Sequence, residues 1–356
     1  MTPTAHFTAV IPSEPPVDHG PVPNPLPRLL SGEDLSSEDS QHLFERLVLG
    51  RLEPGEIAGM LIALRMKGET PEEIIGAAQA LLAAATPFPR PETLFADCCG
   101  TGGDNSGIIN VSTAAGLVAA ACGLPIAKHG NRSVSSRCGS ADVLEALGAR
   151  LELAPERARQ VLDESGFTFL FAPAYHSGMK HAAVVRRQLS VRTVMNLLGP
   201  CVNPARPPVQ LLGVADAKLM RRIAQVLAAL GVERALVVHG GGLDEVALHA
   251  ETRAVRLMDG EFEEIVLSPE DAGCTRTGLQ ELEGGDPQVN AARLQALLAG
   301  GGSVAEQQAV ALNAGALLWI AGRAGSFREG TTRALDALRA GEAGRVLDRF
   351  VEASRG

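Results

Sequence analysis

Residues 94–133, LFADCCGTGGDNSGIINVSTAAGLVAAACGLPIAKHGNRS, alternate between short apolar runs and polar loops rich in glycine. The apolar runs predict a strand at residues 94–99, a helix at 113–122 and a second strand at 124–128. Each predicted strand ends in a polar loop. A strand, a helix and a further strand in this order are typical of a parallel sheet covered by helices.

The same alternation continues to the end of the chain. Further strands are expected at residues 210–214 and 234–239, an edge hairpin within 252–267, and helices at 142–147, 218–230, 288–299, 304–322 and 328–353. Residues 93–356 are therefore predicted to form a larger α/β domain around a mostly parallel central sheet.

A small all-helical N-terminal domain is predicted over residues 28–92. Ser36 and Thr70 stand where they would cap two helices, and Pro54 stands at the first position of another. Residues 1–27 contain eight prolines and little apolar periodicity. They predict a disordered leader or an extended arm held against the fold.

The composition of the chain excludes several classes of protein. A net charge of −9, with one Trp and one Tyr, argues against nucleic-acid binding, which favours a basic surface and aromatic stacking. The apolar run at 116–124 is too short to span a bilayer, and no secretory signal is seen. Six cysteines without a CxxC pair suit reduced thiols. We therefore expect a cytoplasmic protein that binds neither a nucleic acid nor a membrane.

The loop after the first predicted strand suits a phosphate group. It contains GTGGD at 100–104, and glycines let a backbone approach an anion closely. Ser112 and Thr113 stand at the start of the next predicted helix, whose free N–H groups and dipole favour phosphate. The loop lacks the GK[ST] of nucleoside-triphosphate sites and the GxGxxG spacing of dinucleotide sites. It therefore predicts another kind of phosphate ligand.

The loop after the second predicted strand, KHGNRSVSS at 128–136, adds positive charge at the same edge. Lys128 and Arg132 would neutralise phosphate oxygens. The hydroxyl donors of this loop are Ser133, Ser135 and Ser136. His129 either packs beneath the site or contacts the ligand, and Ser140 either caps the next helix or contacts phosphate. The two loops together predict a cradle for a highly phosphorylated small molecule.

A third loop, after the predicted strand at 234–239, carries the adjacent carboxylates Asp244 and Glu245. Two hard oxygen ligands beside a phosphate cradle suggest Mg²⁺ held jointly by protein and ligand. The charge of Asp104 would repel phosphate unless such a cation or ribose hydroxyls stand between them.

A fourth segment runs from residue 171 through Arg186 and Arg187 to the turn NLLGP at 196–200. An arginine here would clamp a carboxylate, or would lie on the solvated face of a helix. Met179 and the turn would offer apolar walls to a flat ring.

Eight motifs occur in order between residues 28 and 350: GTGGD, NVST, KHGNRSVSS, GSADVLEALG, HSGMK, VRRQL, NLLGP and GLDE. In this combination the chain resembles the anthranilate phosphoribosyltransferase family. The resemblance implies a homodimer joined through the helical domains, which would also receive a returning segment at about 180–203. It implies transfer of phosphoribosyl from phosphoribosyl pyrophosphate to the amine of anthranilate, with release of pyrophosphate, in tryptophan biosynthesis.

The resemblance also assigns residues through their matching motifs. Those that would hold phosphoribosyl pyrophosphate are Gly100, Gly103, Asp104, Asn110, Ser112, Thr113, Lys128, His129, Gly130, Asn131, Arg132, Ser133, Ser135, Ser136 and Ser140. Those that would hold Mg²⁺, as two ions per subunit, are Ser112, Asp244 and Glu245. Those that would meet anthranilate or line its path are Gly100, Asn131, Arg186, His176, Met179 and Pro200.

Four departures from the family pattern stand near these residues. Ile108 replaces a usual threonine, Cys138 a usual serine, and Ser177-Gly178 a common Pro-Ala. Asn105 replaces a usual glycine, and asparagine tolerates a left-handed backbone. None of the departures removes a metal ligand or the carboxylate clamp.

The expected reaction is a displacement at the anomeric carbon, in which orientation and stabilisation of the leaving pyrophosphate dominate. No strong general base is obvious, so Asn131 and Asp104 are expected to position the reactants. Two alternatives stay open. One is a pyrimidine nucleoside phosphorylase of related architecture, which KHGNRSVSS and GLDE disfavour. The other is a non-catalytic relative that binds nucleic acid, which predicts lost metal ligands and a basic surface.

Overall fold

The computed structural model describes residues 24–133 and 137–356. Most of the predicted leader, together with Ser135 and Ser136, lies outside these described residues. The first helix, α1 (Leu26–Leu30), begins within the last residues that were assigned to the leader.

The described chain then forms a helical unit. Its helices are α1, α2 (Ser37–Val48), α3 (Pro54–Lys67) and α4 (Pro71–Ala83). The predicted caps are present, because the side chain of Ser36 accepts from the N–H of Asp39 at 3.0 Å and that of Thr70 from Glu73 at 3.2 Å. The buried carboxylate of Glu73 also accepts from Lys67 Nζ at 3.0 Å, so its charge is paired inside this unit.

The remaining residues build a sheet covered by helices. The strands are β1 (Ala96–Gly100), β2 (Ile126–Gly130), β3 (Phe167–Phe171), β4 (Val209–Gly213), β5 (Arg234–Gly240), β6 (Thr252–Met258) and β7 (Glu261–Leu267). The helices are α5 (Val111–Ala121), α6 (Ser140–Ala146), α7 (Pro155–Ser165), α8 (Ala172–Tyr175), α9 (Lys180–Leu189), α10 (Val194–Leu198), α11 (Met220–Ala229), α12 (Pro287–Leu298), α13 (Val304–Ile320), α14 (Phe327–Arg339) and α15 (Glu342–Arg355).

The strands lie in the order β3-β2-β1-β4-β5-β6-β7. The first five of these are parallel, and β6 and β7 add an antiparallel hairpin at one edge. The predicted α/β class and mostly parallel sheet are therefore confirmed. The chain changes direction across the sheet between β1 and β4, and ligands of such sheets bind where this reversal occurs, at the carboxyl ends of the strands.

Alternate residues of the strands enter two separate cores. Leu236 and Val238 pack on one face among residues of α5, α13 and α15, whereas Ala235 and Val237 pack on the other among residues of α4 and α11. Burial on both faces explains why these strands are continuous apolar runs in the sequence. The packing holds the loops at the carboxyl ends of the strands in fixed positions.

The returning segment, residues 180–203, packs against the helical unit. Ala182 and Val185 of α9 and Val194 and Leu198 of α10 share one buried core with residues of α2, α3 and α4. The segment then leads directly into β4 at the middle of the sheet. Among the described residues, no helix is long and apolar enough to cross a membrane.

The structure differs from the prediction in two regions of the chain. The predicted helix at 328–353 is two helices, because Gly341 adopts a left-handed φ of +67° between α14 and α15. The strand β3 and the helix α7 before it were not predicted at all, although β3 is buried along its whole length.

Candidate active site

The loops that follow β1, β2 and β5 meet in a cleft of about 790 Å³ at the carboxyl edge of the sheet. Many predicted site residues line it: Gly100, Gly103, Asp104, Asn110, Ser112, Thr113, Lys128, His129, Gly130, Asn131, Arg132, Ser133, Ser140, Asp244 and Glu245. A smaller hollow of about 420 Å³ lies beside α15 and contains none of the predicted residues.

The backbone of the glycine loop (residues 100–104) requires its glycines. Gly102 and Gly103 have φ of +64° and +79°, which side chains other than glycine adopt at a cost. A Cβ on Gly100 would lie 2.2 Å from Asp244 Oδ2, so the absence of a side chain lets the third loop approach. Asn105 also has a positive φ, +55°, in agreement with the tolerance expected for asparagine.

The two carboxylates of the third loop are tied to the first loop by backbone N–H donors. Gly102 N donates to Asp244 Oδ2 at 2.7 Å, and Ser112 N, in the first turn of α5, donates to Glu245 Oε1 at 3.1 Å. Burial raises the pKa of Asp244 to about 6, and the nearby charge of Asp104 adds to this rise. Burial, together with the charge of Asp244, raises the pKa of Glu245 to about 8.

This acidic pair fits a divalent cation. The two carboxylates are buried close together, and the charge of Lys128 offsets only part of the cost, since the pKa of Glu245 is still raised. Their oxygens are the ligands that Mg²⁺ prefers. In the part of the chain that the structure describes, no group of three or more His, Cys, Asp or Glu side chains could hold a metal. An ion bound at Asp244 and Glu245 would thus need oxygens from its ligand as well.

Lys128 is buried below the surface of the cleft. Its side chain is only 2 % exposed, and Nζ donates to the carbonyl of Cys98 and to Ser112 Oγ, the latter at 3.2 Å. The ammonium therefore lies beneath the start of α5, where it fixes the hydroxyl of Ser112 and adds positive charge to the floor of the cleft.

Arg132 lines the cleft, but its charge is already paired within the protein. Its guanidinium makes a two-point pair with Glu145, at 2.6 and 3.1 Å, and lies 4.6 Å over the ring of Phe171. Glu145 lies on the next helix, α6, and Phe171 ends β3, so neither partner belongs to the loop itself. The charge that was expected to face phosphate is neutralised in this conformation.

His129 packs beneath the cleft and is among the residues that line it. Its Nδ1 lies 3.2 Å from the carbonyl oxygen of Gly199, which can only accept, so Nδ1 carries the proton. Nε2 is buried and has no hydrogen-bond partner among the described residues. Burial lowers the pKa of His129 to about 3, and the ring of His176 lies edge-on at 5.2 Å. His129 is thus a neutral acceptor at physiological pH.

The residues predicted to serve anthranilate are not brought into the cleft as a group. Arg186, His176, Met179 and Pro200 do not line it. They lie in or beside the returning segment, which packs on the helical unit, and His176 Nε2 is bound to the carbonyl of Val202 at 2.8 Å. Burial lowers the pKa of Arg186, and no acid of the described chain pairs with its guanidinium. It is a half-buried cation of α9.

Several lining residues were not predicted. Arg192 and Asn196 reach the cleft from the returning segment, and residues 279–290 form a further wall. This wall is bound to the first loop, since Gly284 N donates to the carbonyl of Gly107 at 2.7 Å and Asn290 Nδ2 to Asn110 Oδ1 at 2.9 Å. In the sequence, only the Gly284-Gly285 pair gave a local indication of a loop in this wall.

The wall also accounts for one departure from the family pattern. Ile108 forms an isolated antiparallel bridge with Glu283, so its backbone holds the wall in place whatever side chain it carries. Another departure, Cys138, is buried and touches Asn110 Oδ1 through Sγ at 3.4 Å.

Family models and known proteins match almost the whole described chain. A glycosyl transferase family α/β domain matches residues 92–344, and the helical bundle domain of the same family matches residues 26–85. The anthranilate phosphoribosyltransferase of Sorangium cellulosum is 58% identical over 327 residues, which is 92% of this chain and 94% of that protein. That of Idiomarina loihiensis is 51% identical over 317 residues, covering 89% and 94%.

Solved structures agree with these matches. The anthranilate phosphoribosyltransferase of Thermus thermophilus superposes with a TM-score of 0.89 at 44% identity, covering 94% of this chain and all of that one. The Saccharomyces cerevisiae enzyme in complex with PRPP and Mg superposes with a TM-score of 0.85 at 26% identity, covering 93% and 96%.

Proposed function

This chain belongs to the anthranilate phosphoribosyltransferase family, and on that premise we propose how its cleft works. The protein transfers the phosphoribosyl group of phosphoribosyl pyrophosphate to the amine of anthranilate, in a Mg²⁺-dependent step of tryptophan biosynthesis. The products are N-(5-phosphoribosyl)anthranilate and pyrophosphate.

One observation carries the proposal for the donor. Asp244 and Glu245 accept hydrogen bonds from Gly102 N and Ser112 N, which joins the acidic pair to the loop suited to phosphate. Ser112, Asp244 and Glu245 would hold Mg²⁺, as two ions per subunit. When bound, Mg²⁺ neutralises charge on the leaving pyrophosphate.

The other groups of the cleft hold and orient the donor. The N–H groups at the start of α5 and the glycine loop bind phosphate oxygens, assisted by Lys128 beneath them. Hydrogen-bonding groups of the second loop complete the cradle, with Arg132 available once it leaves Glu145. The donor-binding set is Gly100, Gly103, Asp104, Asn110, Ser112, Thr113, residues 128–136 and Ser140.

The acceptor is oriented rather than deprotonated by a strong base. His129 has a pKa of about 3 and is therefore a weak base, which supports a mechanism of positioning by Asn131 and Asp104. Arg186 clamps the carboxylate of anthranilate, and His176, Met179 and Pro200 line its path. The desolvated, unpaired guanidinium of Arg186 supports this role, because an incoming carboxylate would supply the missing partner.

We also propose the assembly and location of the protein. The division at residue 92, with residues 180–203 returning to the helical domain, is supported by the core that these parts share. Of the eight large apolar side chains that are exposed in the described chain, five lie in or beside α1–α3 and the returning segment: Leu30, Leu49, Met66, Val184 and Val191. The concentration of exposed apolar side chains in this part of the chain supports a homodimer joined through the helical domains. The six free thiols support a reducing, cytoplasmic location.

The test of function is the fluorescence of anthranilate. Signal loss should require phosphoribosyl pyrophosphate and Mg²⁺ together, with one pyrophosphate released for each anthranilate consumed. Uridine with inorganic phosphate serves as the comparison, because a nucleoside phosphorylase would consume it. No loss of anthranilate, or faster turnover of uridine, would reject the proposal.

A further inference from the structure

Arg192 joins the returning segment to the glycine loop. Its Nη1 donates to the carbonyl of Gly102 at 2.7 Å and its Nη2 to the carbonyl of Thr101 at 3.3 Å. Arg192 is half-buried, lines the cleft and forms no ion pair with an acid of the described residues. Two backbone carbonyls thus hold this cation, which leaves it without the carboxylate or phosphate that would bind it more strongly.

The shape of the loop matches the guanidinium. A Cβ on Gly103 would lie 1.4 Å from Arg192 Nη1, so any side chain at residue 103 would displace Arg192. Gly103 also has a left-handed φ of +79°. Two independent features of Gly103, its conformation and its lack of a side chain, thus fit the position of Arg192.

The residue Gly102 is held from both sides. Its N–H donates to Asp244, and its carbonyl accepts from Arg192. With both polar groups bound, rotation of the backbone here would break one bond or the other. Removing Arg192 would leave the bond to Asp244 without its opposing restraint.

We propose that Arg192 is a positioning residue that fixes the glycine loop against Asp244 and couples the donor site to the returning segment. The inference rests on the proposed function. Arg186 and Arg192 lie in the same short stretch, which turns at Ser190 with a φ of +50°. One stretch of chain therefore holds the residue assigned to the acceptor and the residue that orders the donor loop.

Kinetics of Arg192→Ala test this role, with Arg187→Ala as the matched control because Arg187 is exposed in the same stretch. Arg192→Ala should raise both the KM for phosphoribosyl pyrophosphate and the Mg²⁺ concentration for half-maximal rate by about ten- to hundred-fold. The KM for anthranilate should change by less than about threefold. The control should match the wild type in all three quantities.

Arg192→Lys keeps the charge but lacks the planar fork of donors that spans the two carbonyls, so it should fall between the wild type and Arg192→Ala. It also replaces the alanine variant if that variant does not fold. If Arg192→Ala needs no more Mg²⁺ than the wild type, or if its two KM values rise equally, the inference is overturned. The proposed function still stands in that case, provided that the wild type consumes anthranilate. A wild type that does not consume anthranilate would instead reject the function itself.

Discussion

The backbone N–H of Gly102 lies 2.7 Å from Oδ2 of Asp244, although the two residues are 142 positions apart in the chain. This bond joins the loop after β1 to the loop after β5, across the strand β4 that lies between them in the sheet. It places an acidic side chain directly against a backbone suited to phosphate. A cation bound to this carboxylate would lie beside the glycine loop and could bind phosphate oxygens of the donor as well.

Replacing Asp244 with asparagine tests the metal assignment. The variant keeps an oxygen that can accept from Gly102 but loses the charge, so we expect turnover to fall by about 100- to 1000-fold. Its melting temperature in EDTA should not fall, because burial disfavours the charged form of Asp244 in the metal-free protein. Initial rates over a range of Mg²⁺ concentrations give the measurement. Rates equal to those of the wild type throughout would reject the role.

Replacing Gly100 with alanine tests the close approach of the two loops. The new Cβ would lie 2.2 Å from Asp244 Oδ2, so the carboxylate must shift, and a displacement of this size should lower kcat/KM for the donor by about 100-fold. Gly55→Ala is the control, since no atom lies within 4 Å of a Cβ there. Wild-type kinetics of Gly100→Ala would contradict the geometry.

Replacing Arg186 with alanine tests the carboxylate clamp. Loss of one charged hydrogen-bonded contact should raise the KM for anthranilate by about ten- to hundred-fold and leave the KM for phosphoribosyl pyrophosphate unchanged. The free energy of unfolding should not fall, because burial disfavours the charged form of Arg186, as its lowered pKa shows, and no ion pair is lost with it. Steady-state kinetics with each substrate varied decide the matter. Equal damage to both KM values would show a structural role.

The pair His129 and His176 predicts a loss of stability in mild acid. Burial lowers the pKa of His129 from 6.5 to about 3, and burial also lowers that of His176. As the pH falls below 6.5, the unfolded chain takes up a proton at His129 that the folded chain does not. The free energy of unfolding is therefore highest above pH 6.5 and declines towards pH 3. The charge of Lys128 also opposes protonation of His129.

Urea unfolding of the ligand-free protein at pH 7 and pH 5 measures this effect. Between pH 7 and pH 5, the free energy of unfolding of His129→Asn should fall by about 2 kcal/mol less than that of the wild type, because asparagine does not titrate. His181→Gln changes an exposed histidine of α9 and should keep the wild-type slope. The same slope in His129→Asn and the wild type would exclude His129 as the cause.

The exposed apolar residues of the helical region predict the oligomeric state. The double variant Leu49→Glu, Val184→Glu should sediment as a monomer, whereas the wild type should sediment as a dimer, because charge opposes burial of this surface. Val304→Glu alters a side chain that is 68% exposed at the start of α13 and should leave the dimer intact. A wild type that sediments as a monomer would contradict the proposed assembly.

Local sequence signals were enough to place the loops of the cleft. Apolar runs followed by glycine and polar residues located the ends of β1, β2 and β5, and parallel strands bring such ends to one edge. The cap at Ser36 was likewise visible from a few residues. The prediction of one helix at 328–353 was wrong, because the chain breaks there into two helices at Gly341, which has a left-handed φ. Good helix formers on both sides of Gly341 favoured a continuous helix.

Other features depend on contacts between distant residues. Arg132 is paired with Glu145 and Phe171, so its charge is engaged although the loop alone suggested that it was free. Arg192 binds backbone carbonyls, which every residue has, and no residue type marks such a partner in the sequence. The run Phe167–Phe171 is followed by Ala172-Pro173-Ala174 rather than by the glycine and polar residues that marked the ends of β1, β2 and β5.

Calorimetric titration of the protein with phosphoribosyl pyrophosphate tests the central claim most directly, because the claim concerns how three loops and Mg²⁺ hold the donor. We predict a saturable heat of binding with Mg²⁺ present, and strongly weakened binding without Mg²⁺ or in Asp244→Asn. Absence of a binding heat in the wild type with Mg²⁺, or equal affinity in Asp244→Asn, would contradict the account.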